Sequence, residues 1–336
     1  MRTAILGVGR MGRRHIQVVQ ELGYELAGVH DISETSLDLA RAEHALADHQ
    51  LFTDLDRLYA KAKPELVIVA TTADFHCEST CMAAERGAKY ILVEKPMAIS
   101  LEQCDRMIDA CKRHGARLSV NHQMRFMAQY TEPKKLFGTD AYGDFASMTV
   151  VAGNIGFSMN GSHYFEAFRF LAGEPVAEIS AWFSPELVPN PRGARFQDRA
   201  GSLRAVTGNG KRLYMEIGAD QGHGMQAIYA CRRGMIIVDE VTRELYTTER
   251  LPENRDLPTT RAGSPGVNNR RTIPFCGVIE TTADVIRAMV SGDNDVTGEH
   301  GRSAVEVLVA AHHAVEAGRP VKLDATLDRS TLFPWA

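Results

Sequence analysis

The hydrophobic and polar positions follow two different patterns along the chain. In the first part, short apolar runs of strand length alternate with stretches whose apolar residues recur at helical spacing. The runs at 3–6 and 65–70 are nearly all apolar, as expected for strands buried on both faces of a parallel sheet. This alternation continues to about residue 121 and predicts a doubly wound α/β domain.

After residue 121 the pattern changes to strand-like runs separated by tight turns, which predicts an antiparallel sheet. Helices are predicted over 162–171, about 276–291 and 299–317. The segment 252–274, rich in Pro, Gly, Asn and Arg, is predicted to be a loop that is either mobile or buried only when a ligand binds. We therefore predict two domains, residues 1–121 and residues 122–336, the second of the α+β class.

The turn after the first strand has the spacing G-x-G-x-x-G over residues 7–12. The first glycine allows a tight turn, the second lets the backbone approach a pyrophosphate, and the third lets the helix pack close to its strand. The second strand ends at Asp31, whose carboxylate can accept hydrogen bonds from an adenosine ribose and would repel a 2′-phosphate. We predict a dinucleotide site that favours NAD over NADP, formed by Gly7, Gly9, Arg10, Met11, Gly12 and Asp31.

Composition narrows the class of protein. The chain has 336 residues, 44% of them hydrophobic and 24% charged, which is typical of a globular protein with a sizeable core. A net charge of −4 without a long basic run argues against nucleic acid and anionic membranes as partners. Because we find no signal-peptide pattern and no apolar run of membrane-spanning length, we expect a cytoplasmic protein. The six cysteines lack zinc-site spacing, so we expect reduced thiols and no metal.

Polar side chains come directly after two of the predicted parallel strands. The turn 71–76 succeeds the strand at 65–70, and Glu94-Lys95-Pro96 succeeds the strand at 89–93. Ligands of doubly wound sheets bind at these carboxyl ends. Partial desolvation and a neighbouring cation would favour neutral Lys95, which could then accept a proton. The alternative is a solvated Lys–Glu pair before a turn-forming proline.

Five motifs together resemble the glucose–fructose oxidoreductase / inositol dehydrogenase / MocA (Gfo/Idh/MocA) family. They read GVGRMG (7–12), ATTADFH (70–76), VEKPMA (93–98), GSHYFEAFRFLAGEP (161–175) and HHAVEAGRPVKL (312–323). The resemblance implies an N-terminal Rossmann domain and a C-terminal domain with a large open sheet, on which homodimers or homotetramers are built. It also implies that the nicotinamide is flanked by Thr71, Thr72, His76, Glu94, Lys95 and Pro96.

The resemblance further implies that Lys95 and His163 are the proton-transfer groups. His163 and Gly161 match the family pattern D-x-G-x-H, but Met159 stands in the place of its aspartate. The neighbouring Asn160 can replace the hydrogen bond of that carboxylate but not its charge. The alternative for His163 is a helix-cap histidine packed beside the next residue, a tyrosine.

Arginines suggest where a substrate is held. By resemblance, Arg125 reaches the substrate cleft, where it joins Lys95, Asn160 and His163; the alternative is an interdomain ion pair. The loop 190–199 carries Arg192, Arg195 and Arg199, and guanidinium groups suit phosphate or carboxylate. This loop suggests a nucleotide-sugar or a sugar acid as substrate, with a solvated surface loop as the alternative.

The sequence therefore predicts an NAD-dependent oxidoreductase. A hydride would move between the nicotinamide and a secondary alcohol or ketone of a sugar, polyol or sugar derivative, while Lys95, helped by His163, moves the hydroxyl proton. Two alternatives stay open: a glycosidase that uses NAD for transient oxidation, and a non-catalytic NAD-binding sensor.

Overall fold

A computed structural model describes residues 1–190, 192–255, 257, 266–293 and 296–335. The chain packs into two compact units. The first unit contains residues 1–123, 277–305 and 328–336, and the second contains residues 124–276 and 306–327. Among the helices described, none is long and apolar enough to span a membrane.

The first unit is built on a six-stranded parallel sheet in the order β3-β2-β1-β4-β5-β6. The order reverses between β1 and β4, and in such sheets the crevice at that point binds the ligand. The strands are β1 (Arg2–Leu6), β2 (Glu25–His30), β3 (Leu51–Phe52), β4 (Leu66–Val69), β5 (Tyr90–Val93) and β6 (Arg117–Val120).

Helices connect these strands and pack through a face formed by their apolar residues. In the first helix, Ile16, Val18 and Val19 are buried toward the sheet. A later helix begins at Ser100, whose hydroxyl accepts a hydrogen bond from the Gln103 N–H, and ends at Gly115 in the left-handed conformation. These helices are α1 (Arg10–Glu21), α2 (Glu34–His44), α3 (Leu55–Ala62), α4 (His76–Glu85) and α5 (Leu101–His114).

The packing departs from the predicted division into residues 1–121 and 122–336. Helix α8 (Val278–Ser291) packs against α1 and β6, and the tail 328–335 returns to the first unit. Hydrogen bonds hold these segments: the Ser119 hydroxyl donates to the Val296 carbonyl at 2.6 Å. The Phe333 N–H donates to the Ile99 carbonyl at 2.9 Å. These contacts join residues far apart in the chain, which a reading of local patterns does not detect.

The second unit is built on a nine-stranded sheet in the order β14-β13-β12-β11-β7-β10-β9-β8-β15. All neighbouring pairs are antiparallel except β7 and β10, which are parallel. Its strands are β7 (Phe145–Gly153), β8 (Val176–Leu187), β9 (Arg199–Thr207), β10 (Arg212–Gly218), β11 (Gln226–Cys231), β12 (Gly234–Asp239), β13 (Glu244–Arg250), β14 (Gly266–Thr272) and β15 (Val321–Lys322).

Among its described residues, this unit contains two helices and part of a third. They are α6 (Ala128–Lys134), α7 (Ser162–Ala172) and the second half of α9 (Gly298–Ala317), which begins in the first unit. A single π-helical turn, Phe157–Gly161, leads directly into α7. Together the parallel sheet and the mainly antiparallel sheet confirm the predicted fold class.

The predicted loop 252–274 is only partly a loop. Its residues 266–272 form strand β14, which pairs with β13 along its whole length. All seven residues of β14 are exposed, so the strand has no buried face and no alternating hydrophobic pattern that could have revealed it. Residues 256 and 258–265 of the predicted loop lie outside the described residues.

Candidate active site

The glycine-rich turn joins β1 to α1 in a backbone path that only glycine permits. Gly7 has a φ of +85°, and a Cβ there would come within 2.9 Å of the Ala70 carbonyl and the Thr71 nitrogen. A Cβ on Gly12 would lie 1.9 Å from the Gly7 carbonyl oxygen. At Gly9, in contrast, no atom of the described residues beyond its two chain neighbours lies within 4 Å of the position a Cβ would take. The turn is therefore packed from behind and open in front of Gly9, which fits a pyrophosphate in close contact with the backbone.

Helix α1 begins at this opening. Gly9 is its N-cap and provides no side-chain hydrogen bond, and the first turn holds no acidic residue. The positive end of the helix dipole is consequently left without a negative side chain of its own helix. Arg10 is exposed and Met11 half-buried at the same end. These features suit an anionic ligand.

Asp31 comes directly after β2 and turns its carboxylate toward the glycine-rich turn. One oxygen accepts a hydrogen bond from the Val8 N–H and the other from the Ser33 N–H, both at 2.9 Å. The next residue, Ile32, is 86% exposed and carries no charge. No cation therefore stands directly after the carboxylate to receive a 2′-phosphate, which favours NAD over NADP.

A buried carboxylate organises the carboxyl end of β5. One oxygen of Glu94, which is 4% exposed, lies 2.7 Å from His15 Nε2 on α1 and accepts a hydrogen bond from Asn121 Nδ2 at 2.9 Å. Its other oxygen accepts from the Lys95 N–H at 3.3 Å. Burial alone would raise the pKa of Glu94, but the bonds from His15 and Asn121, with the nearby charge of Lys95, hold it well below its usual range. The carboxylate is thus ionised and ties Lys95 to α1 and to the residue after β6.

His76 joins the ends of β4 and β5. Its Nδ1 faces the carbonyl oxygens of Pro96 at 3.0 Å and Met97 at 3.3 Å, and its Nε2 faces that of Thr71 at 3.2 Å. Burial lowers the pKa of His76, so the neutral ring donates through one nitrogen at a time. The neighbouring Thr72 hydroxyl bonds to Asp74. Whether these side chains also contact a nicotinamide stays a prediction.

In the second unit, His163 lies in the first turn of α7 and is 7% exposed. Asn160, half-buried, precedes it in the π-helical turn, and its N–H donates to the Gly156 carbonyl at 3.2 Å. At the start of this turn a carboxylate appears that the sequence did not indicate. Asp198, 1% exposed, accepts hydrogen bonds from the N–H groups of Ser158 at 2.8 Å and Met159 at 2.9 Å.

Arg125 is 5% exposed and forms an ion pair inside the second unit. One of its terminal nitrogens lies 3.7 Å from a Glu166 oxygen on α7, and its guanidinium stacks 4.4 Å from the Phe170 ring centre. Arg169 binds the same Glu166 oxygen at 2.8 Å. The alternative to substrate binding was an ion pair between domains, but the pair observed joins residues of one unit.

A second acid, on a half-buried residue, lies at the turn between β12 and β13. The Glu240 carboxyl accepts hydrogen bonds from the hydroxyls of Tyr130 on α6, at 2.8 Å, and Tyr164 on α7, at 3.2 Å. Burial raises the pKa of Glu240 to about 7, although the two tyrosine hydroxyls offset part of this effect. Sequence reasoning missed this group because the tyrosines and the acid are far apart in the chain.

The remaining predicted groups are less closely organised. Arg192 and Arg195 are exposed and Arg199 is half-buried at the start of β9; Pro191 of the same loop lies outside the described residues. All six cysteines are free thiols. Within the described part of the chain, no group of three or more His, Cys, Asp or Glu side chains could hold a metal ion.

The structure thus brings together the predicted residues of the first unit, from the glycine-rich turn to Glu94 and Lys95, at one edge of its sheet. It adds His15 and Asn121, which sequence reasoning did not single out as functional. A signal for His15 existed, because a histidine on the buried face of a helix needs a polar partner. Lys95 belongs to the first unit and His163 to the second.

Comparison with known proteins places this geometry in context. Residues 1–122 match the model of the Gfo/Idh/MocA oxidoreductases, described as an oxidoreductase family with an NAD-binding Rossmann fold. The chain is 29% identical over 240 residues to an inositol 2-dehydrogenase of Saccharopolyspora erythraea, covering 67% of this chain and 68% of the relative. It is 34% identical over 141 residues to a 2,7-anhydro-N-acetylneuraminate hydratase of Mediterraneibacter gnavus, but that match spans only 42% of this chain and 36% of the hydratase.

Solved structures share the fold over nearly the whole chain. An oxidoreductase from Agrobacterium radiobacter in complex with NAD+, L-tartaric acid and magnesium superposes with a TM-score of 0.79 at 18% identity, covering 97% of this chain and 99% of that one. The WlbA dehydrogenase from Bordetella pertussis, in complex with NADH and UDP-GlcNAcA, has a TM-score of 0.73 at 20% identity, with the same coverage. At these identities the similarity establishes the fold.

Proposed function

Because the chain belongs to the Gfo/Idh/MocA family of oxidoreductases, with an NAD-binding Rossmann unit, we propose that it transfers a hydride between NAD and a carbon bearing a hydroxyl or keto group. The substrate we propose is a sugar, a polyol or a sugar derivative. One observation carries the proposal: Lys95 stands at the carboxyl end of β5, tied through the ionised Glu94 to α1 and to the residue after β6.

The residues of the first unit fit the cofactor. The open face at Gly9 and the N-terminus of α1 would hold the pyrophosphate, and Asp31 the adenosine ribose. When bound, the nicotinamide accepts the hydride or returns it. The residues proposed to flank it are Thr71, Thr72, His76, Glu94, Lys95 and Pro96.

Two side chains are proposed to move the proton. The ammonium of Lys95, whose charge lies near the ionised Glu94, would donate a proton to the keto oxygen as the hydride arrives. In the oxidation direction, the amine left once that ammonium has released its proton would accept the proton of the substrate hydroxyl as the hydride leaves. His163 is proposed as a second proton-transfer group, with Asn160 and Arg125 as substrate-binding residues. The protein contributes mainly by orienting the carbon–hydrogen bond that reacts.

The cofactor site is tested by Gly9→Ala. A methyl group there meets no described residue other than its chain neighbours, so the variant should fold normally. It should lose at least about tenfold in NAD affinity, because the methyl occupies the space needed by the pyrophosphate. Titration calorimetry with NAD and NADP measures both affinities. Gly222→Ala is the matched control, because Gly222 has open space around the Cβ position and no positive φ. Gly87→Ala would not serve, because Gly87 has a φ of +86°, which strains an alanine. Unchanged NAD affinity in Gly9→Ala would contradict the site.

The activity is tested by the absorbance of reduced nicotinamide across polyols, sugars, sugar acids and nucleotide-sugars. Substrates found this way are then assayed with Lys95→Ala and His163→Ala, with the exposed residues His114→Ala and Lys89→Ala as controls. Loss of turnover in Lys95→Ala and His163→Ala supports the proposal, provided that the two control variants keep the parent turnover. NAD binding without turnover of any compound would instead favour a non-catalytic sensor.

A second function has one observation in its favour: one relative is a hydratase. Addition or removal of water causes no net redox change, as in a glycosidase that oxidises its substrate transiently. Such an enzyme would release product from a suitable substrate while the total amount of reduced cofactor stays constant. Product analysis by mass spectrometry alongside the absorbance assay separates the two functions.

We further hypothesise that the substrate is a sugar that carries a phosphate or a carboxylate. Arg192 and Arg195 are exposed on the loop before β9, where they could meet a phosphate or carboxylate. WlbA, which shares the fold, is described with a nucleotide-sugar acid bound. If the hypothesis holds, uridine diphosphate should compete with substrate, and Arg192→Ala and Arg195→Ala should raise KM; an unchanged KM in both variants would reject it.

We also propose that the protein forms homodimers or homotetramers through the outer face of the nine-stranded sheet. Across five neighbouring strands one register row runs Tyr214, Thr149, Ile228, Ile237 and Tyr246. Tyr214 is 37% exposed and Tyr246 38%, so this apolar row is open to contact. The double variant Tyr214→Lys/Tyr246→Lys should sediment as a monomer, whereas Leu39→Lys, at an exposed position of α2, should not change the sedimentation. Identical sedimentation of the double variant and the parent would reject this interface.

The six free cysteines are in keeping with the reducing cytoplasm that we propose as the location of the protein.

A further inference from the structure

Asp198 is a buried acid outside the proposed proton-transfer pair. Its residue is 1% exposed, and it lies just before β9, where its own carbonyl accepts a hydrogen bond from the Val188 N–H at 3.0 Å. Burying a carboxylate this deeply is costly unless donors satisfy it. Its side chain therefore needs partners, and besides the N–H of the next residue, Arg199, the structure provides two from a distant segment.

Those partners are backbone groups of the turn that carries the candidate site residues. The two Asp198 oxygens accept from the N–H groups of Ser158 and Met159, at 2.8 and 2.9 Å. The backbone leaves room for the carboxylate, because a Cβ on Gly156 would lie 2.2 Å from it. Burial raises the pKa of Asp198, while these N–H groups favour its ionised form. The carboxylate is thus built into the beginning of the π-helical turn 157–161.

The two candidate site residues come directly after the bonded pair in the chain. Asn160 is the next residue, and His163 lies within one further helical turn. Side chains of a helix point back toward its N-terminus, so the His163 side chain extends toward the turn that Asp198 holds. Met159, four residues before His163, has an apolar side chain, whereas the carboxylate bonded to its N–H comes from Asp198 in a different segment.

We propose that Asp198 is a positioning residue for His163 and Asn160, fixing the turn that carries them by its two charge-assisted hydrogen bonds. This inference rests on the proposed function of His163. The part of the chain involved is the loop that connects β8 to β9, so a substitution in that loop reaches the candidate site through the backbone of 157–161.

The first test replaces the charge while keeping the shape. Asp198→Asn can accept one of the two N–H groups but places its own NH2 against the other. With a substrate from the absorbance panel, we expect kcat to fall about tenfold or more, with KM and NAD affinity changed less than threefold. Asp144→Asn, at an exposed aspartate before β7, is the matched control and should keep the parent kcat. A kcat of Asp198→Asn within twofold of the parent would overturn the proposal.

The second test moves the charge, and it holds even if Asp198→Asn folds poorly. Met159→Asp adds a carboxylate to the residue whose N–H Asp198 already binds, whereas Met159→Asn adds the same shape without charge. We expect the aspartate variant to lose at least threefold more kcat than the asparagine variant, and Met159→Asp/Asp198→Asn to recover most of that loss. Equal loss in the two single variants, or no recovery in the double variant, would overturn the proposal.

A readout without catalysis separates this inference from the proposed function. If the parent turns over no compound of the panel, the proposed function fails, and the ring signals of His163 are then compared by NMR in the parent and in Asp198→Asn. We expect them to shift in Asp198→Asn and to stay unchanged in Asp144→Asn. Unshifted His163 signals in a folded Asp198→Asn would overturn the positioning role.

Discussion

The two units bury acidic side chains in opposite ways. In the first unit, Glu94 is bonded by His15 and Asn121 and lies near the charge of Lys95, and its pKa is held well below its usual range. In the second unit, Glu240 receives only two tyrosine hydroxyls, and burial raises its pKa to about 7. Both groups are satisfied by hydrogen bonds, yet one stays ionised and the other changes charge near neutral pH.

The comparison shows that the hydrogen-bond partners and nearby charges of an acid, rather than its burial alone, determine whether it is ionised. Hydrogen bonds from His15 and Asn121 and the nearby charge of Lys95 compensate the desolvation of Glu94, whereas neutral hydroxyls compensate that of Glu240 only in part. The Glu94 carboxylate accordingly keeps its charge near neutral pH, as suits a group that holds Lys95 in place. The second unit carries a group that responds to pH in that range.

The largest effect is expected from the substitution of Lys95, whose N–H is bonded to the ionised Glu94. Lys95→Ala removes the proposed proton acceptor and should lower kcat by about 100- to 10,000-fold, the usual contribution of a positioned acid or base. NAD affinity should change little, because the glycine-rich turn and Asp31 are untouched. Steady-state kinetics and NAD titration are compared with those of Lys89→Ala, an exposed lysine paired with Glu65. A kcat of Lys95→Ala close to that of the control would remove Lys95 from the mechanism.

Substitution of His15, a partner of Glu94, should have a smaller effect. His15→Leu removes the imidazole 2.7 Å from the buried carboxylate, and losing a hydrogen-bond partner of a buried carboxylate costs about 3 kcal/mol of unfolding free energy. Denaturant unfolding at neutral pH measures the loss. His49→Leu, on an exposed histidine, should unfold within about 0.5 kcal/mol of the parent. If His15→Leu were equally stable, the ionised state of Glu94 would not depend on its histidine partner.

The same contrast explains what the sequence could predict. In the first unit, the site residues occur in short consecutive motifs, since each comes directly after a buried strand with a regular hydrophobic pattern. Spacing was therefore sufficient to predict the glycine-rich turn, Asp31 and the Glu94–Lys95 pair at one edge of the sheet. The partners His15 and Asn121 are single residues on neighbouring elements, and only packing identifies them.

In the second unit, the important contacts join distant parts of the chain. Asp198 binds a turn about forty residues earlier, at Ser158 and Met159, and Tyr130 meets Glu240 across 110 residues. Strand β14 has no buried face, and α8 packs on the first unit although it comes after the second in the chain. None of these arrangements leaves a local pattern, because sheet pairing and packing decide them. The class of fold was predictable, while the division of the chain and the acidic partners were not.

The smallest effect concerns the pH response of the second unit. The pKa of Glu240 is raised by folding from an ordinary value near 4.5 to about 7, so the folded protein binds this proton more tightly than the unfolded chain does. The stabilising contribution is complete below the unfolded pKa and is lost as the pH rises through about 7. Glu240→Gln cannot ionise and keeps one acceptor for a tyrosine hydroxyl. It should therefore be more stable than the parent at pH 8 by about 1–2 kcal/mol, a value reduced for the partial exposure of the residue.

Unfolding free energies of Glu240→Gln and the parent, measured from pH 5 to pH 8, decide this prediction. The difference between the two proteins should grow as the pH rises, since groups common to both cancel. Glu244→Gln, four residues on, is the control, because hydrogen bonds from Arg270 and Thr272 lower the pKa of its half-buried carboxylate and its charge does not change in this range. A constant difference between Glu240→Gln and the parent across the range would mean that Glu240, like Glu94, is held in one charge state, and the contrast between the two units would fail.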